Sequence, residues 1–401
     1  MKIAYVTMYD ANDLKNWSGT AHHIARALER LGVEVTYIGS LEDRGGPLLG
    51  LRRALTKVVG RKRLLRERDP RVARGYAAQV EERLAGLDVD WILSPGTIPI
   101  AELAVSTPIA FWTDATFGQM IGLYPEFEHL SAATIREGNT LEQHALERAA
   151  LAIYASEWAA QSAVRDYGAD PAKVKVLPFG ANLTGNRDLD AIDEIIRNRG
   201  TDVCRLLFVG VDWKRKGGDL AIAIAGALHD RGVRTELTIV GSTPDVPVRM
   251  RDIVNVRGFI SKDSPSGGAE LEQLLASSHF LVAPTRAECF GVAFAEASSF
   301  ALPSIASNVM GVPSVVSNGV NGFTFPLKSI VADSVSSMAS LWADRPRYES
   351  LCWSAFEESR NRLNWQASGR DLMLLLGEMH PSRTVLSEQP EGMVGSGTGQ
   401  P

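Results

Sequence analysis

An α/β protein made of two doubly wound parallel-sheet units is what the sequence predicts, on three observations. Short runs dense in Val, Ile and Leu alternate with stretches of helical periodicity, the pattern of parallel strands covered on both faces. That rhythm breaks across the polar stretch 180–200 and restarts at 205–209 as though a second chain began there. A chain of 401 residues, 45% of them apolar, can fill two cores of ordinary size.

The first unit, 1–183, opens with a strand at 2–7, followed by a loop ending in Trp17-Ser18-Gly19-Thr20, a helix through Leu31 that stops at Gly32, and a strand at 34–38. Further apolar runs at 90–93, 108–112, 151–155 and 175–177 complete a Rossmann-like sheet. A linker is expected over 184–203, from the polar stretch 180–200 in which Asn182, Gly185, Asn186 and several aspartates cluster. The second unit, 204–363, repeats the scheme with strands at 206–209, 236–240, 254–256, 280–283, 304–306 and 323–325, and with helices at 218–231 and 292–300. Two more helices are read at 348–363 and 366–379, before a Gly-, Ser- and Pro-rich tail, 381–401, whose composition predicts disorder.

Charge and cysteine usage exclude several classes. A net charge of −5 gives no general attraction to nucleic acid or anionic membrane. Cys204, Cys289 and Cys352 are odd in number and far apart, so neither a disulfide framework nor a thiolate metal site is expected. The adjacent His22 and His23 cannot share a helix face as zinc ligands would. No metal site is predicted. With no signal-peptide core and no run of about 18 apolar residues, a cytoplasmic location is expected. Ten Lys or Arg between 51 and 74 face only Glu67 and Asp69, with leucines and valines between them. This reads as a solvated helix or loop, or else as a basic amphipathic helix making peripheral membrane contact or receiving a phosphorylated acceptor.

The most informative stretch is Ala283-Pro-Thr-Arg-Ala-Glu-Cys-Phe-Gly-Val-Ala-Phe-Ala-Glu296, a buried strand running through a loop into a helix opened by Gly291. Glu288 lies before the first turn and Glu296 more than one turn inside, so the two carboxylates bracket the helix start. Backbone N–H groups at Phe290, Gly291 and Val292 would point between them, a setting suited to an anion that approaches the backbone closely. The plainer alternative is two solvated helix-terminal acids. A second signal is Phe208-Val-Gly-Val-Asp-Trp-Lys-Arg-Lys-Gly-Gly218, where Lys214, Arg215 and Lys216 follow a strand. They fall at the carboxyl edge of the sheet, where open α/β folds bind ligands and where cations can stabilise a departing diphosphate. A solvated basic turn is the alternative. In the first unit Ser18 reads either as a helix N-cap or as part of a ligand loop, and Asp114, in Trp112-Thr-Asp-Ala-Thr116, either as an Asx-type turn or as a group that orients a hydroxyl.

At these positions the sequence resembles glycosyltransferase family four, whose Glu-x7-Glu motif has the spacing of Glu288 and Glu296 and the same Phe-Gly. The resemblance is strongest over 204–327 and implies the GT-B architecture, two Rossmann-like domains facing across a cleft, with segment 364–380 crossing back to the first domain. It implies a retaining transferase that moves a hexose-type sugar from a UDP-, GDP- or ADP-linked donor to a hydroxyl acceptor, without cofactor or metal. By the same resemblance Lys216 and Glu288 would carry catalysis, with Asp114 as the third catalytic candidate where the family often has a histidine facing the donor sugar. Arg215, Cys289, Phe290, Gly291, Val292, Glu296 and Gly19 would bind the donor, with Ser18 and Thr20 on the acceptor side. Glu288 would hold hydroxyls of the moving sugar and Glu296 those of the ribose. The family places an arginine immediately after the glycine equivalent to Gly210, where this chain has Val211, so Arg215 or Lys214 is expected to supply the second cation. A GT-B epimerase or hydrolase and a non-catalytic sugar-nucleotide binder remain as alternatives. A dehydrogenase and a P-loop NTPase are disfavoured, since neither G-x-G-x-x-G nor G-x-x-x-x-G-K-[ST] occurs after a strand.

Overall fold

In a computed structural model, residues 1–44, 62–183, 187–262 and 264–379 are described. The basic residues Arg52, Arg53, Lys57 and Arg61 and the tail 381–401 lie outside them.

Two six-stranded sheets, parallel throughout, form the molecule. The first takes β1 (Lys2–Val6), β2 (Glu34–Ile38), β3 (Trp91–Ser94), β4 (Ile109–Thr113), β5 (Leu151–Tyr154) and β6 (Val174–Val176), in the order β2-β1-β3-β4-β5-β6. The second takes β7 (Cys204–Val209), β8 (Thr235–Val240), β9 (Val254–Gly258), β10 (Phe280–Ala283), β11 (Ser304–Ser307) and β12 (Gly322–Phe325), in the order β12-β11-β10-β7-β8-β9. Strand order therefore reverses between β1 and β3 and again between β7 and β10. At such switch points the loops leaving neighbouring strands diverge and open a crevice at the carboxyl edge.

Helices cover both faces because the strands are apolar on both: β3, β4, β5, β10 and β11 are buried along their whole length. In the first unit these are α1 (Thr20–Arg30), α2 (Pro70–Leu84), α3 (Phe117–Met120), α4 (Ala132–Arg148) and α5 (Glu157–Tyr167). Local chemistry sets their starts: Asp69 caps α2 with Pro70 behind it, Ser131 caps α4 and Ser156 caps α5.

Half of the segment expected as a linker, 184–203, forms a helix. Within it α6 (Leu189–Asn198) is capped by Asp188 and buries Ile192 and Ile196 in the second core. The aspartates that marked a polar connector form the cap and outer face of an amphipathic helix. Then follow α7 (Gly218–Asp230), α8 (Pro265–Ser277), α9 (Val292–Ser298), α10 (Ile330–Ala343), α11 (Arg345–Asn361) and α12 (Trp365–Met379). Sequence reading missed α10, and α12 packs against α1, with Gly369 beside Ala27 and Leu31.

The chain crosses between the sheets twice at one place. Ala181 N–H donates to the Leu363 carbonyl at 3.2 Å, and Ser368 Oγ donates to the Pro178 carbonyl at 2.9 Å. A Cβ on Gly180 would lie 2.3 Å from the Trp365 nitrogen, so only glycine fits there. Phe179 is 1% exposed and touches Trp17, Trp112, Phe290 and Trp365, with ring centroids 5.3–5.8 Å apart. One apolar cluster thus runs from the first sheet to the helix that follows β10.

Candidate functional site

The switch point of the second sheet brings two loops together. The Arg215 carbonyl accepts hydrogen bonds from Arg286 N–H (2.7 Å) and Thr285 Oγ1 (3.1 Å), and Arg215 Nη1 returns one to the Ala287 carbonyl at 3.0 Å. Gly217, at φ +73°, has no room for a side chain, since its Cβ would stand 2.1 Å from the Pro284 carbonyl oxygen. The two sequence signals, about 70 residues apart, therefore build one surface.

At its centre Lys216 Nζ forms an ion pair with Glu288 Oε2, and Arg215 Nη1 stands 3.8 Å from the same oxygen. Glu288 is 8% exposed, a depth at which a carboxylate needs such partners. Glu296 is 2% exposed and pairs with Lys262, which follows β9 and which sequence reading did not single out. Lys262 lies near the motif in space but 34 residues away in sequence, and no local pattern marks it.

Between the carboxylates Gly291 holds φ +93°, and an added Cβ would meet the Phe294 ring at 2.6 Å. Among the described residues, the amides of Phe290, Gly291 and Val292 donate to no protein acceptor. Phe290 turns its ring inward against Phe179, so it offers the site backbone only. Beside this corner Gly210 follows β7, Gly241 follows β8 and Gly258 ends β9, and their loops touch: Gly241 N–H donates to the Gly258 carbonyl at 2.7 Å. The glycines let these turns pack closely, since a Cβ on Gly241 would lie 2.7 Å from the Gly210 carbonyl oxygen and one on Gly210 2.9 Å from the Lys216 side chain; Val211 and Phe259 beside them are exposed. Val211, 68% exposed, carries no charge at the place where the sequence departs from the family pattern. Lys214 supplies its carbonyl to Arg286, whereas the Arg215 guanidinium reaches the site.

The first unit faces this corner. Tyr124 Oη donates to Cys289 Sγ at 3.2 Å, and its ring lies 4.7 Å from the Arg215 guanidinium carbon. Asp114, half-buried after β4, is raised from 3.8 to about 6, chiefly by burial and then by the negative charge of Glu288, with a hydrogen bond from the Trp17 side chain opposing. Burial, with Asp114 adding negative charge nearby, pushes Tyr9 to about 12. Trp17, Ser18 and Gly19 all have left-handed backbone, at φ 47°, 53° and 81°. Ser18 makes no cap, Gly19 being the N-cap of α1, and Ser18 is exposed. Thr20 is 2% exposed and accepts from Asn182 Nδ2 at 3.2 Å, so it points into the interdomain seam instead of the cleft. Asn182 also donates to the Ser18 carbonyl at 2.9 Å and accepts from Trp365 Nε1 at 3.0 Å. That residue, too, was legible only in three dimensions.

Four of the six described basic residues of the segment 51–74 bond within the fold. Arg66 pairs with Asp43, Arg68 with Glu142 and Arg71 with Asp69, while Arg63 donates to the Pro125 carbonyl. No described helix is long and apolar enough to cross a membrane.

Comparison with known proteins gives a consistent result. A family model described as glycosyltransferase family 4 matches residues 19–184, and one described as glycosyl transferases group 1 matches 203–344. The D-inositol 3-phosphate glycosyltransferase of Actinosynnema mirum is 30% identical over 238 residues, 56% of this chain and 55% of that protein. The Rhodococcus opacus protein of the same name is 28% identical over 47% of each chain. The chain spans about half the length of the curated relatives it matches. Among solved structures, sucrose-phosphate synthase from Thermosynechococcus elongatus superposes with a TM-score of 0.66 at 17% identity, covering 94% of this chain and 99% of the other. Anabaena HepE in complex with UDP gives 0.59 at 16%, covering 94% and 100%. At these identities the structures speak to the fold.

Proposed function

The chain belongs to the group 1, family four glycosyltransferases of GT-B fold, and from that premise we propose that it transfers a hexose-type sugar from a nucleoside-diphosphate sugar to a hydroxyl acceptor with retention of configuration. The observation that carries the proposal is the convergence of Lys216 and Arg215 on one oxygen of Glu288, beside the unpaired amides around Gly291. In this arrangement Glu288 occupies the cations as a donor diphosphate would. When the donor enters, the diphosphate takes Lys216, Arg215 and the amides of Phe290, Gly291 and Val292, and Glu288 turns to hydroxyls of the sugar.

Glu296, held by Lys262, receives the ribose hydroxyls. As the glycosidic bond lengthens, negative charge grows on the leaving diphosphate, and the preorganised cations stabilise it without solvent reorganisation. Closure brings the loop of Gly19 and Asp114 over the sugar and excludes water that would hydrolyse the donor. Front-face transfer then needs no protein nucleophile, because a departing phosphate oxygen helps remove the acceptor proton.

HepE was solved with UDP, so UDP-sugars are the first donors to test. The relatives named for D-inositol 3-phosphate make phosphorylated polyols the first acceptors. Thermal shift with UDP, GDP and ADP identifies the base, since a ligand at one hundred times its Kd stabilises by about 2.7 kcal/mol. Once donor and acceptor are known, Lys216→Ala is expected to lower kcat by about a hundredfold or more, a larger effect than the stability it costs by leaving Glu288 with Arg215 alone. Unchanged turnover in that variant overturns the assignment.

A further inference from the structure

Resting on the donor reading above, we propose that Tyr124 is a positioning residue of the donor site: supplied by the opposite domain, it holds Arg215 in place as the second diphosphate cation.

The need for such a residue follows from Val211. A cation at that position would stand directly on the strand end, but Val211 is 68% exposed and uncharged. Arg215 lies four residues further on, at the end of a flexible side chain, and must be oriented before it can serve a diphosphate. Within its own domain three contacts act on the guanidinium: the Ala287 carbonyl at 3.0 Å, Asp212 at 3.4 Å and Glu288 at 3.8 Å. Two of these are carboxylates, and the Glu288 contact is given up when that residue turns to the sugar. Nε has no hydrogen-bond partner. The guanidinium carbon lies over the Tyr124 ring, 4.7 Å from its centroid, so the ring restrains the cation without adding a carboxylate that would compete with an anion.

Tyr124 is itself fixed. Its hydroxyl donates to Cys289 Sγ at 3.2 Å, a thiol 2% exposed on the loop between Glu288 and Phe290. The loop that carries it is tied down by Arg63, whose side chain donates to the Pro125 carbonyl and whose backbone bonds to His129 and Ser131 at 2.8 Å each. One aromatic residue thus touches both loops of the donor site from across the cleft. Arg215 reaches full donor affinity only with the domains apposed as they are here.

The experiment measures binding of UDP, GDP and ADP, and of the corresponding nucleosides, to the full chain by calorimetry, using the diphosphate that binds tightest. Tyr124→Leu removes ring and hydroxyl, and Tyr124→Phe keeps the ring. Tyr124→Leu is expected to weaken the diphosphate about fivefold while leaving the nucleoside unchanged, and Tyr124→Phe to stay within about twofold of wild type. In an Arg215→Ala background Tyr124→Leu is expected to have no further effect, because the partner it holds is gone. The proposal is overturned if Tyr124→Leu binds diphosphate as wild type does, if it weakens nucleoside equally, or if its effect persists in the Arg215→Ala background. Wild-type protein that binds none of the three diphosphates overturns the donor reading itself, and this inference with it.

Discussion

Asp114 gives a stability prediction whose sign and size follow from its surroundings. Its carboxyl is raised from 3.8 to about 6 by burial and by Glu288, so the folded chain prefers it protonated. In the unfolded chain it ionises at its ordinary value. Folding stability therefore falls as pH rises through the window from about 4 to 6, and above it the full cost of the buried charge is present. A shift of about two units corresponds to ~3 kcal/mol at pH 8, but only ~0.6 kcal/mol at pH 4. Asp114→Asn keeps the shape and an acceptor for Trp17 and removes the charge. The variant is expected to melt about 6–12 °C above wild type at pH 8 and within ~2 °C of it at pH 4, using 2–4 °C per kcal/mol for a domain of this size. Differential scanning fluorimetry in a constant-ionic-strength buffer series reads this directly. An equal shift at both pH values, or none at pH 8, refutes the reasoning. Glu288→Gln supplies an internal check, because removing the neighbouring charge should reduce the benefit of Asp114→Asn.

Other predictions concern the frame around the site. His279 is buried, accepts from Arg205 N–H at 3.0 Å and bonds to the Gly200 carbonyl through Nε2 at 2.8 Å, and burial lowers it to about 4. It stays neutral on folding, so acidification from about 6.5 toward 4 costs stability, and its ring resonances should show no titration midpoint above pH 5. Arg199, 1% exposed, donates to the carbonyls of Ala276, Phe300 and Ala301 at 3.0, 2.7 and 2.6 Å, capping the ends of α8 and of the turn after α9. Arg199→Met should destabilise by at least about 3 kcal/mol in urea unfolding, because buried carbonyls lose their donors. Gly180→Ala forces a methyl against the Trp365 backbone and should cost about 1–3 kcal/mol while also loosening α12, read as faster amide exchange in that helix.

Legibility in the sequence followed contact range. Each sheet could be read because a parallel strand buried on both faces is a continuous apolar run, and the strand-loop-helix at Gly291 because its geometry is set by neighbours in the chain. The loop at Ser18 was harder: a serine before a helix reads as a cap, yet here Asn182, 164 residues away, holds its carbonyl and the backbone is left-handed. Lys262, Tyr124 and Asn182 carry no local signature, since each matters through a partner brought near by the packing of the two sheets. The helix α6 was hidden because only Ile192 and Ile196 of its apolar residues are buried, and they sit among Asp188, Asp190, Asp193 and Glu194, which read as a polar connector.

The paired crossings at Ala181–Leu363 and Gly180–Trp365 restrict how the halves can move. Two strands of chain laid side by side behave like the spine of a book: they permit a swing about one line and resist torsion. Opening should therefore carry Tyr124 straight off Arg215, retracing the path by which it arrives. A chain cut short at residue 364 would keep a single tether, and its halves would wobble instead of swinging.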